Sequence, residues 1–222
     1  MGGGPSQCLW RLSAPPGPPA ALGRLAAIEV LVLCTGNVCR SPMAAALLAR
    51  RLEGADARVR SAGLLAGGSP APPEAVAVMA ARGIDTSRHR SRRMDPAEVR
   101  SADLVVGMAR EHVREAVAAV PSAWPRTFTL KELVRRAEQT GPRRSGEDLA
   151  SWLARVGSGR TPAELLGSSP DDDVADPLGG SRSDYERVAS ELEGLTDRLV
   201  ELAFPHPASG PPPQPASSRA AL

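Results

Sequence analysis

The sequence predicts an α/β fold, a three-layer sandwich in which a four-stranded parallel sheet is flanked by helices. Three observations predict it. Short hydrophobic runs alternate with helical segments from residue 28 to residue 202, and such alternation implies a parallel sheet with right-handed crossovers. The first run, Ile28 to Leu33 (IEVLVL), is β-branched and nearly all apolar, as a strand buried on both faces must be. The last segment, Asp184 to Leu202, puts Tyr185, Val188, Leu192, Leu195, Leu199 and Leu202 on one face of a long helix.

The elements follow in order. After the first strand and a polar turn, Pro42 to Leu52 (PMAAALLARRL) is an Ala/Leu-rich helix with Pro42 in its first turn. Ala57 to Ser61 is the second strand. Pro73 to Arg82 is a helix with Gly83 as its C-cap. Asp95 reads as an N-cap followed by Pro96 at the first helical position. Asp103 to Met108 is the third strand, Glu111 to Val120 the helix after it, and Arg126 to Leu130 the fourth strand. Glu132 to Pro170 is long for a connection in a compact domain. It is expected to be an insertion that is partly helical, with Leu149, Trp152, Leu153 and Val156 on one face of 147–156. The rest of it, including 143–146 and 157–169, is expected to be mobile.

This folded domain spans residues 28–204. Residues 1–27 form a Gly/Pro/Ala-rich leader without period, and 205–222 a proline-rich tail; neither carries enough apolar surface to order itself. Prolines 15, 16, 18 and 19 interrupt any signal-peptide core. The opening MGGGPS matches the loose myristoylation pattern and reads as coincidence in a Gly-rich stretch.

Composition excludes several function classes. A length of 222 residues with 42% hydrophobic content suits one globular domain. The net charge of +2 lacks the basic excess of a nucleic-acid binder. No run approaches the ~18 apolar residues that cross a bilayer. Three cysteines do not make a disulfide scaffold, and Cys34 and Cys39 beside a hydrophobic run suggest reactive or buried thiols in a reducing cytosol. His89, His112 and His206 are not spaced as a metal site and read as structural or surface residues. The run RHRSRR at 88–93 reads as a solvated basic face. Neither a metal nor an organic cofactor is expected.

The loop Cys34-Thr35-Gly36-Asn37-Val38-Cys39-Arg40-Ser41 carries the chemistry. Cysteine, five residues and arginine is a weak pattern alone; its context between a buried strand and a helix makes it specific. A loop wrapping a helix N-terminus turns successive backbone N–H groups inward, and the helix dipole adds positive potential, which together suit a tetrahedral dianion. Gly36 and Asn37 are residue types that tolerate the positive φ of a tight wrap. Arg40 supplies a planar two-pronged donor for phosphoryl oxygens, and Cys34 sits at the bottom as nucleophile. A free thiol is only a few per cent thiolate at neutral pH. One helix terminus supplies at most ~2 kcal/mol, so the loop amides, Arg40 and the Ser41 hydroxyl must help.

A leaving oxygen needs a proton, usually from a carboxylic acid. Asp95-Pro96 is taken by helix capping. Asp176-Pro177 lies in a Gly-rich turn after the fourth strand, where loops at the carboxyl ends of parallel strands gather, so Asp176 is the better acid. The run Asp171 to Asp173 reads as solvated.

With VLCTGNVCRSP, Arg60-Ser61-Ala62-Gly63, Gly83-Ile84-Asp85, His89-Arg90, Ala102 to Val105, Thr129 to Glu132 and Asp176-Pro177 with Gly179-Gly180, the chain resembles the bacterial low-molecular-weight protein-tyrosine phosphatases. The resemblance implies a phosphate-binding loop between first strand and first helix, and hydrolysis of phosphotyrosine in a protein substrate through a phosphocysteine. It implies Cys34 as nucleophile and Arg40 as clamp on the phosphoryl group. Asn37 would hold the loop, Ser41 would bond the thiolate, Ser61 would support the loop, and Asp176 would act as acid and then base. Thr35, Gly36, Asn37, Val38, Cys39 and Ser41 would surround the phosphoryl group, and Cys39 matches a cysteine that can pair reversibly with the nucleophile. Leu178 and Gly179 stand where animal members place aromatic residues. Protein-arginine phosphatases are similar, DPxGGS included, but carry Thr where Val38 stands, which favours tyrosine. A low-molecular-thiol-coupled arsenate reductase and a non-catalytic phosphate-binding module are the remaining alternatives.

Overall fold

A computed structural model describes residues 27–204. The readings of the leader, the tail and His206 lie outside the described residues, apart from Ala27. Four strands, β1 (Ile28–Cys34), β2 (Ala57–Gly63), β3 (Leu104–Gly107) and β4 (Thr127–Thr129), form a fully parallel sheet in the order β2-β1-β3-β4. The helices are α1 (Arg40–Arg51), α2 (Pro73–Ala80), α3 (Pro96–Ser101), α4 (Arg110–Ala119), α5 (Leu130–Thr140), α6 (Leu149–Val156) and α7 (Arg182–Ala203).

Successive strand residues point to opposite faces, and both faces are covered. Val30, Val32, Leu104, Val106 and Phe128 join the core formed with α1, α2, α5, α6 and α7. Leu31, Leu33, Val105 and Ala62 face the other way, against Val99 of α3 and Ala116 of α4. The uninterrupted apolar run of β1 reflects this double burial. Because β1 has β2 on one side and β3 on the other, the chain reverses its strand order there. In such sheets the crevice at the strand's carboxyl end is where ligands bind.

Several boundaries differ from the sequence reading. β2 continues to Gly63, and α1 begins two residues before Pro42. α2 stops at Ala80, so Gly83, with φ of +74°, closes a following turn rather than capping the helix itself. α5 occupies the start of the stretch read as a loop. Its signal is a capping box, in which Thr129 Oγ1 accepts from the Glu132 amide at 3.1 Å and Glu132 Oε2 from the Thr129 amide at 3.4 Å. Residues 157–169 are anchored through Arg160. Its guanidinium lies 3.9 Å over the Phe128 ring and 4.1 Å over the Trp124 ring, and donates to Glu132 Oε1 at 2.6 Å and the Thr127 carbonyl at 2.8 Å. Asp171 is exposed, as a solvated residue is, but Asp172 and Asp173 are not. Asp172 is buried, accepting from Arg110 and Arg135, both at 2.8 Å, and Asp173 accepts from the Arg110 amide at 2.8 Å.

Candidate active site

Residues 35–39 join β1 to α1 in the crevice between β2 and β3. Among the described residues Asn37 is the one non-glycine with positive φ, at +51°. Gly36, read as sharing that conformation, does not adopt it. Every polar group of the buried Asn37 side chain is used. Its Nδ2 donates to Ser41 Oγ and Ser61 Oγ, each at 2.9 Å, and its Oδ1 accepts from the Arg92 amide at 3.0 Å. Its carbonyl meets His89 Nε2 at 2.7 Å. Gly63 closes this wall. A Cβ there would lie 2.8 Å from both the Asn37 amide nitrogen and the Thr35 carbonyl.

The sulfur of Cys34 accepts from the Asn37 amide at 3.2 Å and lies 2.9 Å from Ser41 Oγ. Ser41 Oγ already accepts from Asn37, so its proton is free to point at the sulfur. Its other acceptor, the Ala62 carbonyl, is farther at 3.4 Å. Cys39 is different. It occupies the N-cap position of α1, its sulfur lies 3.7 Å from the buried Tyr185 hydroxyl, and burial pushes its thiol up to about 11. At neutral pH it is an uncharged thiol.

Arg40 opens α1 with a side chain only 7% exposed, while the Asp176 carboxyl is 44% exposed. The guanidinium donates to Asp176 Oδ2 at 2.6 Å, to the Val174 carbonyl at 3.3 Å and to Thr35 Oγ1 at 3.3 Å. Asp176 is brought there by its approach. The Val174 amide donates to the Met108 carbonyl at 2.8 Å just beyond β3, directly after the Asp172–Asp173 anchor on α4. Asp95, the rival acid, accepts from the Ala97 amide at 2.8 Å as a helix cap.

A second layer lies behind the loop. Thr35 Oγ1 donates to Glu111 Oε1 at 2.9 Å and lies 3.0 Å from His112 Nε2. His112 Nε2 also lies 3.1 Å from Glu111 Oε1, so the three side chains form one cluster. The buried His112 Nδ1 has no partner among the described residues. Burial, with the charge of Arg40 second, pulls this imidazole down to about 3, so it is neutral at physiological pH. No group of three His, Cys, Asp or Glu among the described residues could hold a metal ion.

The structure thus gathers Cys34, Thr35, Asn37, Arg40, Ser41, Ser61 and Asp176, with Gly36 and Val38 on the loop's turn and Cys39 facing α7. Sequence reasoning missed Glu111 and His112, the contact of His89, and Gly63. The rule that nominated Asp176 would have found Glu111 and His112, since both follow the carboxyl end of β3.

The family model described as low molecular weight phosphotyrosine protein phosphatase matches residues 29–142, just over half of the chain. The chain belongs to that family. As a low molecular weight phosphatase it is a cysteine-dependent phosphoric monoester hydrolase, and a phosphocysteine intermediate is general to the family. A protein-arginine-phosphatase of Geobacillus stearothermophilus is 36% identical over 175 residues, 78% of this chain and 94% of that protein. The probable low molecular weight protein-tyrosine-phosphatase EpsP of Ralstonia solanacearum is 47% identical over 105 residues, 47% of this chain and 71% of its own. The solved low molecular weight protein tyrosine phosphatase from T. tengcongensis is 34% identical, with a TM-score of 0.60 over 78% of this chain and 98% of that one. Among the described residues no helix is long and apolar enough to cross a membrane.

Proposed function

We propose that this phosphatase hydrolyses phosphotyrosine in cytoplasmic proteins, with Cys34 as nucleophile, Arg40 as phosphoryl clamp and Asp176 as acid and base. The observation that carries the reading is the convergence of three groups. Cys34 sulfur is fed by the Asn37 amide and Ser41 hydroxyl, while Arg40 at the same loop holds Asp176 at 2.6 Å.

The phosphoryl dianion sits over the amides of residues 35–41, and Arg40 exchanges its Asp176 contact for the phosphoryl oxygens. The Cys34 thiolate attacks phosphorus as the bond to the tyrosyl oxygen breaks, and protonated Asp176 gives its proton to that oxygen. Asp176, now a carboxylate, takes a proton from water as the water oxygen attacks the phosphocysteine. The sulfur–phosphorus bond breaks and phosphate leaves. Thr35 keeps Arg40 aimed while Asn37 and Ser61 keep the ring shut. Cys39, an uncharged thiol beside Tyr185, takes no part in transfer. The free thiols at 34 and 39 favour a reducing compartment.

A second reading has one observation behind it: the arginine phosphatase matches over 94% of its length, EpsP over 71%. Val38 offers no hydroxyl to a guanidino leaving group, which keeps tyrosine first. The deciding experiment compares phosphotyrosine peptide, phosphoarginine and arsenate with thiol reductants on one preparation. Cys34→Ser is expected to abolish turnover, and Asp176→Ala to slow it about 10²–10⁴-fold. Full activity in Cys34→Ser, or a collapse confined to Asp95→Ala, overturns the assignment.

A further inference from the structure

The basic run at 88–93 is sewn onto the wall of the phosphoryl loop rather than standing free. His89 meets the Asn37 carbonyl at 2.7 Å, and the Arg92 amide donates to Asn37 Oδ1 at 3.0 Å. The Gly63 amide donates to the Arg92 carbonyl at 2.9 Å, the Met94 amide to the Gly63 carbonyl at 2.7 Å, and the Ser91 amide to the Ser69 carbonyl at 2.8 Å. The segment therefore acts as a fixed extra edge beyond β2. Its inward residues are His89, Ser91 and Arg92, the last paired with Glu98.

Its outward residues, Arg88, Arg90 and Arg93, are exposed. Among the described residues none of the three makes an ion pair, whereas most arginines of this fold do, including Arg40, Arg82, Arg110 and Arg160. The nearby carboxylates are engaged elsewhere. Glu98 serves Arg92 and Arg60, Asp95 caps α3, and Asp85 accepts the Ser87 amide at 2.8 Å. Three exposed arginines without an ion-pair partner, one of them (Arg88) close enough to Asp85 for its charge to lower that carboxyl's pKa, stand on a rigid strip beside an anion-binding loop and present a field for a negatively charged partner.

We propose that Arg88, Arg90 and Arg93 form a docking rim that selects substrates with acidic residues flanking the phosphorylated one. This rests on the loop being the phosphomonoester site. Rim charges act through encounter rate and KM, so the effect belongs in kcat/KM, weakens with salt and spares the chemical step.

The test uses the full chain and three substrates: a small aryl phosphate, a phosphopeptide with neutral flanks, and the same peptide with Asp and Glu flanks. Wild type is expected to prefer the acidic peptide by about tenfold in kcat/KM at low ionic strength, given the modest strength of exposed ion pairs. Salt should compress that preference. R88A/R90A/R93A is expected to erase it with the aryl phosphate rate unchanged, and charge reversal to glutamate should invert it. No flank preference in wild type, or one that survives in the variant, overturns the rim. Binding of both labelled peptides to Cys34→Ser, measured by anisotropy, decides the rim without turnover. If wild type hydrolyses none of the substrates, the loop reading fails while the binding comparison still judges the rim.

Discussion

Asn37 condenses the site into one residue. Its left-handed backbone turns its own amide onto the Cys34 sulfur, and its side chain ties α1, β2 and the 88–93 strip together through Ser41, Ser61 and the Arg92 amide. An alanine there incurs the full positive-φ cost that asparagine tolerates, about 1–2 kcal/mol, and leaves the Arg92 amide unpaired, about 1–3 kcal/mol. Asn37→Ala is therefore expected to lower unfolding stability by about 2–5 kcal/mol in a denaturant titration and to cut kcat strongly. Unchanged stability would show that the loop is held by other groups. The residue type was legible from the sequence because few residues tolerate that φ. Its partners were not, since Ser61 and Arg92 reach it only through the folding of β2 and the strip behind it.

At the scale of elements, the end of β2 decides whether the loop can close. Gly63 carries backbone contacts from both sides, with the Asn37 nitrogen and Thr35 carbonyl 2.8 Å from where a Cβ would stand. Neither neighbour is a flexible side-chain tip that could swing away. Gly63→Ala is expected to push the loop off β2, costing roughly 1–3 kcal/mol and lowering turnover while circular dichroism stays unchanged. Wild-type kinetics would show that the loop absorbs the methyl group. The 132–170 stretch teaches a related lesson. Its apolar spacing revealed α6, and a T-x-x-E box lay unread at α5, but Arg160 and Asp172 as anchors depended on carboxylates, carbonyls and rings from remote elements.

Across the whole molecule, the layer behind the loop predicts a pH dependence of stability. His112 sits at about 3 in the folded chain against 6.5 for an exposed imidazole, with Arg40, Arg114 and Asp173 among the charges it feels. Between those values the unfolded chain binds a proton that the folded chain does not, so stability falls as pH falls. At pH 5 this loss amounts to about 2 kcal/mol relative to pH 8. Thermal or urea unfolding from pH 8 to pH 5, before most carboxylates titrate, is expected to show the slope in wild type and a flatter line in His112→Gln. An equal slope in both would place the proton uptake elsewhere.

The sequence by itself determined the alternation of strands and helices, the parallel sheet, and the loop from Cys34 to Ser41, because each is written in local periodicity and in residues adjacent along the chain. Tertiary structure alone decided that Asp176 meets Arg40, that Glu111 and His112 stand behind Thr35, that Gly63 must lack a side chain, and that three arginines of the basic run face outward unpaired. Those relations join residues tens of positions apart. Only the packing of β1 between β2 and β3 brings their loops to one edge, and no local pattern encodes a distance across a sheet.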